Sequence, residues 1–136
     1  MYKSIVVPID LAHGERAKPM IEAAKKLADK GSKLVLVNVV EDIPAYVAAE
    51  LPGGVIEQSR KSAETKLKAL GKEAGIHADV EVRNGQSASA ILAAAEERNA
   101  DLIVIASHRP GWGDFLIGST AARVVRHAKC SVHVIR

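Results

Sequence analysis

Apolar runs of strand length alternate with longer stretches of helical periodicity along this chain, and that rhythm excludes most folds. Residues 4–9 form a short run rich in β-branched side chains, bounded by Pro8 and Asp10. Residues 15–30 then place Ala17, Met20, Ile21, Ala24, Leu27 and Ala28 at the spacing of one helix face. Gly31 reads as the C-cap of that helix. Residues 33–40 are apolar on both faces, as suits a strand covered on two sides. Residues 41–55 carry Pro44, Pro52, Gly53 and Gly54 and read as a loop with a short helical piece near 45–51. Residues 56–74 make a Lys- and Glu-rich helix ended by Gly75, and residues 78–83 alternate apolar and charged side chains like a less covered strand. After the turn Asn84-Gly85, residues 87–98 form an Ala-rich helix with Ser87 as candidate N-cap. Residues 101–106 are a fourth strand, 119–128 a last helix and 131–135 a fifth strand. The order β-α-β-α-β-α-β-α-β predicts an α/β fold with right-handed crossovers and a parallel sheet covered by helices on both faces. No repeat or low-complexity linker interrupts residues 1–136, which read as a single domain.

Several function classes drop out on composition. A chain of 136 residues buries roughly two-thirds of its unfolded surface and needs no covalent staples. The single Cys130 excludes an intramolecular disulfide and a multi-cysteine zinc site, and fits a reducing, cytoplasmic setting. Aromatic residues make up only 3%, so platforms for stacking bases are lacking. The net charge of +3 comes from Lys and Arg scattered beside Glu, which argues against a nucleic-acid partner. The first apolar run is too short for a signal peptide or a membrane span, so the expectation is a soluble protein with no membrane partner. GxxxxGK[ST], GxGxxG and GxSxG are all missing, and no His, Cys and Asp cluster has metal-ligand spacing.

In an open parallel sheet, ligands bind outside the carboxyl ends of the strands, where strand order reverses. The residues that follow the strands therefore matter most: Pro8-Ile9-Asp10, Val39 to Asp42, Asn84-Gly85 and the long segment 107–120. In that segment Gly118-Ser119-Thr120 opens a helix. Free backbone N–H groups, an electropositive helix end and two hydroxyls together suit a phosphate. The same three residues also suit a plain helix cap. His108 and Arg109 are candidates to add positive charge, although an isolated His108 equally suits an ordinary surface position. Asp10 is either a ligand-binding carboxylate or the cap of the first helix. Cys130 reads as a buried structural thiol, because no basic cluster adjoins it. Trp112, in a glycine-rich loop, is either a lid residue or an interface residue.

Taken as strings, these segments resemble the universal stress protein family over essentially the full length. The matching pieces are Val6-Val7-Pro8-Ile9-Asp10, Val37-Asn38-Val39-Val40, Arg83-Asn84-Gly85 and the run from Ile103 to Pro110. The run from Gly118 through Arg123-Val124-Val125-Arg126-His127 to Cys130-Ser131-Val132-His133-Val134 completes them. The wording looks like the small enterobacterial F/G-type branch, which binds ATP. The resemblance implies a Rossmann-like fold of the adenine nucleotide alpha hydrolase type, an open five-stranded parallel sheet of order 3-2-1-4-5. It implies that Pro8, Ile9 and Asp10 line the adenine and ribose, and that Val39 offers backbone groups to the adenine edge. Ala106, Ser107, His108 and Arg109 run beside the ribose and phosphates, and Gly118, Ser119 and Thr120 hold the phosphates. ATP, or ADP or AMP, is the implied cofactor, with Mg²⁺ as a bridge between phosphates. A homodimer through residues 131–135, with a tetramer as the higher assembly, is the implied oligomer.

The family's ATP-binding pattern is G-x-x-G, nine residues, then G-[S/T]. Here Ala106 and Arg109 stand where the two glycines are expected, and eight residues separate Arg109 from Gly118. The expected function is regulatory ATP binding in the stress response, with little or no turnover. The alternatives are a slow ATPase assisted by His108 or Asp10, and a dimeric interaction module that binds no nucleotide.

Overall fold

The structure is a computed structural model that describes residues 1–41, 43–107 and 118–136. Five strands, β1 (Tyr2–Pro8), β2 (Ala28–Val40), β3 (Ala78–Asn84), β4 (Leu102–Ala106) and β5 (Ser131–Ile135), form one sheet. The strand order is β3-β2-β1-β4-β5, and every pair is parallel. The helices are α1 (Ala17–Leu27), α2 (Ala45–Ala48), α3 (Val55–Glu73), α4 (Ser87–Glu97) and α5 (Ser119–His127). A 3-10 turn, Leu11–Arg16, precedes α1. The α/β class and strand order agree with the sequence-based expectation.

Period-two alternation in the central strands explains why helices cover both faces. Ile5 and Val7, Leu34 and Leu36, and Leu102 and Val104 point to one side, where Ile21 and Ala24 of α1 and Leu67 of α3 pack on them. Val6, Val35, Val37, Ile103 and Ile105 point to the other, against Ile91 and Ala94 of α4 and Ala121 and Val124 of α5. Each fully buried Val, Leu or Ile contributes roughly 1.5–3 kcal/mol. A one-residue slip in any central strand would exchange these two sets, which is why the register is firmly specified.

Two local expectations are corrected. Gly31 does not cap the first helix. Helix α1 stops at Leu27, Ala28 is already extended, and Gly31 lies inside β2 at φ 80°. Tyr2 pairs with Ala28 and Ser4 with Lys33, so β1 advances two residues while β2 advances five. The surplus bulges out of the ladder, and glycine supplies the left-handed backbone there. Nor is Ser87 the N-cap of α4. Gln86 has the extended backbone of a cap, and its side-chain oxygen accepts from Ser89 N at 2.8 Å. Gly75 does end α3 at φ 71°, with Ile76 N–H returning to the Gly71 carbonyl at 3.1 Å, a Schellman closure.

Strand order reverses between β1 and β4. The chain leaves β1 toward α1 on one face, whereas α5 after β4 lies on the opposite face. Their connections diverge, and a crevice opens between them above the carboxyl ends of the strands.

Candidate functional site

The floor of this crevice is made by the end of a hydrogen-bond ladder. Ile9 N–H still donates to the Val37 carbonyl at 2.7 Å. One step further, the Ile9 carbonyl accepts from the side chain of buried Asn38, Nδ2 at 2.9 Å, instead of continuing the ladder. Val39 has the same parity as Val37, so its N–H and C=O point to the side that β1 has left. A strand end of this kind offers a donor and an acceptor on one edge, as a planar heterocycle requires.

The chain then turns on Asp10. Its Oδ1 accepts from Ala12 N at 3.0 Å and caps the 3-10 turn, while Oδ2 lies 2.9 Å from His13 Nδ1. Asp10 is thus a cap and a crevice residue at once. Across the crevice stands the start of α5. Gly118 is its N-cap in an extended conformation, φ −60° and ψ 156°, and among the described residues no side chain caps the helix. Gly118 N–H donates to the Ser107 carbonyl at 3.3 Å, and its own carbonyl accepts from Ala122 N at 2.9 Å. First-turn N–H groups of a helix have no intrahelical partner, and they carry the positive end of the dipole. Ser119 is exposed beside them.

These elements enclose a cleft of about 360 Å³, within the roughly 300–1,000 Å³ span of small-molecule sites. Of the sequence candidates, Pro8, Ile9, Asp10, Val39, Ala106, Ser107, Gly118, Ser119 and Thr120 all line it. His108 and Arg109 lie outside the described residues, as does Trp112. Ser107 is buried and turned to the sheet: its N–H and hydroxyl both approach the Ile135 carbonyl, at 2.9 and 3.4 Å. Its contribution at the cleft is therefore to anchor Gly118 through its carbonyl.

Sequence reasoning missed His13, Arg16, Met20, Asn38 and Ser87, which also line the cleft. The first three sit on the 3-10 turn and the start of α1, at the approach from β1. The only signal for them was nearness to Asp10 in sequence. Cys130 is half-buried, and burial, reinforced by the nearby Asp101 charge, pushes its thiol pKa up. That is the reverse of an activated thiolate. Among the described residues, no helix is long and apolar enough to cross a membrane.

The universal stress protein family model matches residues 1–136. The chain belongs to the universal stress protein family. It is 32% identical to universal stress protein MJ0531 of Methanocaldococcus jannaschii over 141 residues, covering all of this chain and 83% of the relative. It is 30% identical to universal stress protein G of Salmonella typhimurium, with both chains fully covered. Among solved structures it is similar to hypothetical protein MJ0577, with a TM-score of 0.80 at 23% identity, covering 99% and 96% of the two chains. It also resembles a universal stress protein of Archaeoglobus fulgidus in complex with dAMP, with a TM-score of 0.70 at 19% identity and coverage of 99% and 98%. A universal stress protein in complex with cAMP gives a TM-score of 0.67 at 21% identity, covering 99% and 97%. At these identities the three solved structures establish the fold.

Proposed function

We propose that this universal stress protein binds an adenine nucleotide, ATP by preference, in the cleft at the carboxyl ends of its strands, and that it acts as a regulatory domain of the cytoplasm with little or no turnover. One observation carries the reading. Among the described residues, the backbone edge of Val39 that β1 has left and the start of α5, with no side-chain cap, face one cleft from opposite ends, with Asp10 between them. An adenine edge, a ribose and a phosphate chain demand those groups in that order. Two relatives of the same fold hold dAMP and cAMP, which supports an adenylate as the ligand class.

Gly118 adds a second support. Among the described residues, a Cβ built there would meet only the Ser107 carbonyl oxygen, at 3.6 Å, an ordinary contact. Its φ of −60° suits any residue. The packing of the described residues thus has no need of glycine at this position, whereas a phosphate resting on the backbone does. Among the described residues no group of three or more His, Cys, Asp or Glu is placed to hold a metal ion. In this reading Mg²⁺ arrives on the phosphates and not in a protein cage. Both Asp10 oxygens are engaged by the turn, which disfavours Asp10 as a general base for hydrolysis.

The same reading includes a homodimer through β5. Ile135 directs its carbonyl to Ser107, so Val132 and Val134, of opposite parity, direct their backbone groups away from β4. The other edge, β3, is guarded by charge. Arg83 pairs with Glu81 and Glu97 at 2.7 and 2.6 Å, and Arg98 pairs with Glu81 and Asp79 at 3.0 and 3.3 Å. Charges of this kind discourage strand addition, which leaves β5 as the edge for a two-fold partner.

Calorimetric titration with ATP, together with chromatography of nucleotide released by heat from purified protein, tests the proposal. Stoichiometric binding, or recovery of an adenine nucleotide, is expected. No heat at millimolar ATP and no released nucleotide would leave the interaction-module reading in its place.

A further inference from the structure

We propose that His13 is a specificity-determining residue of this cleft, reading the ribose 2′-hydroxyl alongside Asp10 and so favouring ribonucleotides over 2′-deoxyribonucleotides. The inference rests on the adenine-nucleotide reading and assigns a role to a residue outside the family motifs. His13 breaks the 3-10 turn, with φ −127° and ψ 58°, and its Nδ1 sits 2.9 Å from Asp10 Oδ2. Both residues line the cleft. Ala12 N–H holds the other carboxylate oxygen at 3.0 Å, so the Asp10 carboxylate is fixed at both ends. Each of its oxygens keeps lone-pair capacity for a ligand.

With Nδ1 turned to Asp10, the ring nitrogen left for a ligand is Nε2. In a neutral ring, Nε2 accepts from a hydroxyl; in a protonated ring, it donates to the hydroxyl oxygen. A hydroxyl satisfies either state. The pair therefore offers two adjacent polar groups to two adjacent hydroxyls, the arrangement of a ribose diol. Its place in the fold agrees. Asp10 leaves the central strand β1, between the Val39 edge on β2 and Gly118 beyond β4. A nucleotide spanning that distance has its sugar in the middle. Among the described residues, Arg16 and Glu41 are the other charged side chains lining the cleft.

The side chains of His13 and Asp10 are 51% and 66% exposed. A side-chain pair so exposed adds little to stability, so substitutions at His13 leave the fold intact and thermal melts can verify this. The experiment is calorimetric titration of the wild-type chain, His13→Ala and His13→Gln with AMP and 2′-deoxy-AMP. The wild type is expected to bind AMP about tenfold more tightly than the deoxynucleotide, the effect of one hydrogen bond. His13→Ala should bring that ratio close to one by weakening AMP alone, and His13→Gln should restore part of it. A ratio unchanged in His13→Ala, or equal weakening of both ligands, would overturn the role of His13 while leaving the nucleotide site standing. Wild-type protein that binds neither compound would overturn the role of His13, and if it also failed to bind ATP the nucleotide reading itself would be removed.

Discussion

Substituting Gly118 by alanine separates a glycine kept for the fold from one kept for a ligand. Among the described residues the added methyl meets only the Ser107 carbonyl, at 3.6 Å, in a backbone conformation that alanine adopts freely. Removing glycine from the unfolded ensemble stabilises by about 0.4–1 kcal/mol. Alanine is a poorer N-cap than glycine by a similar amount, about 0.5–1 kcal/mol. The two terms oppose, so the stability of the unliganded protein should change by less than about 1 kcal/mol. At about 2.1 cal/mol/K per residue over 136 residues, that is a change in Tm below about 3.5 °C. Ligand binding responds differently. ATP at about one hundred times its Kd stabilises the wild type by about 2.7 kcal/mol, which raises Tm by about 9 °C on the same scale. A methyl that displaces phosphate from the α5 N–H groups costs at least one charge-assisted hydrogen bond, up to about 3 kcal/mol or roughly a hundredfold in affinity. The ATP-induced rise in the variant should then fall to about 1–2 °C. Differential scanning fluorimetry with and without ATP reads both numbers. A variant that keeps the full ATP shift would refute the phosphate assignment. A variant whose unliganded Tm drops by more than about 7 °C would refute the claim that the fold tolerates a side chain at 118.

Two further perturbations address the sheet. Asp101 accepts the backbone N–H groups of Lys3 at 2.9 Å and Ser4 at 3.0 Å, tying the start of β1 to β4. Burial alone would raise its pKa, but these backbone hydrogen bonds hold it below the usual carboxylate value. Because the folded pKa is lowered, the stabilisation is present above the unfolded carboxylate range and is lost as pH falls through the folded value. Asp101→Asn should therefore cost about 1 kcal/mol at neutral pH, lessened by solvent screening at this site, and the difference from wild type should vanish in acid; urea melts against pH measure it. In β5, Val134→Pro removes an N–H that faces away from β4, so the sheet should persist while the dimer dissociates. Sedimentation equilibrium should give a monomer mass for the variant and twice that for the wild type; a variant that remains dimeric would place the interface elsewhere.

Legibility in the sequence followed the range of the forces involved. Residues 4–9 were readable as a strand because burial on two faces leaves a local trace in a β-branched run, and residues 131–135 because a half-covered edge strand alternates Val132 and Val134 with exposed Ser131 and His133. The end of α1 was not. Gly31 carries the composition of a helix cap, yet its φ of 80° serves a bulge in β2, and a bulge depends on pairing with β1, which is 26 residues upstream at the Tyr2–Ala28 pair and invisible to local reading. Gln86 displaced Ser87 as a cap for a smaller reason: its longer side chain reaches Ser89 N from one position earlier. In the cleft, the strand-end rule found the residues that directly follow β1, β2 and β4. It missed His13 because a helix expected from residue 15 hid the 3-10 turn that folds back toward Asp10. Ser107 was grouped with the residues beside the ribose and phosphates, but its hydroxyl is held by Ile135, a contact 28 residues away.

The two departures from the family's glycine pattern carry unequal weight once their surroundings are known. Ala106 is the last residue of β4 and pairs with Ile135. Its side chain packs with the apolar cluster that α1 and α3 cover. The methyl that replaces a glycine hydrogen is thus taken up by the protein's own core, and the cost at the cleft is small. The backbone groups proposed to meet the ligand, at Val39 and at the start of α5, need no glycine at 106. The burden of the altered motif therefore falls on Arg109 and the shortened stretch to Gly118. A guanidinium in place of a glycine removes close backbone approach but supplies a fork of donors suited to phosphate oxygens. On that argument, Arg109→Gly should weaken triphosphate binding and leave AMP binding nearly unchanged, because in the proposed arrangement only the outer phosphates would extend beyond Gly118. If Arg109→Gly instead strengthened both, the arginine would be an obstruction, and the loop before Gly118 would have to be read as one that has drifted away from nucleotide.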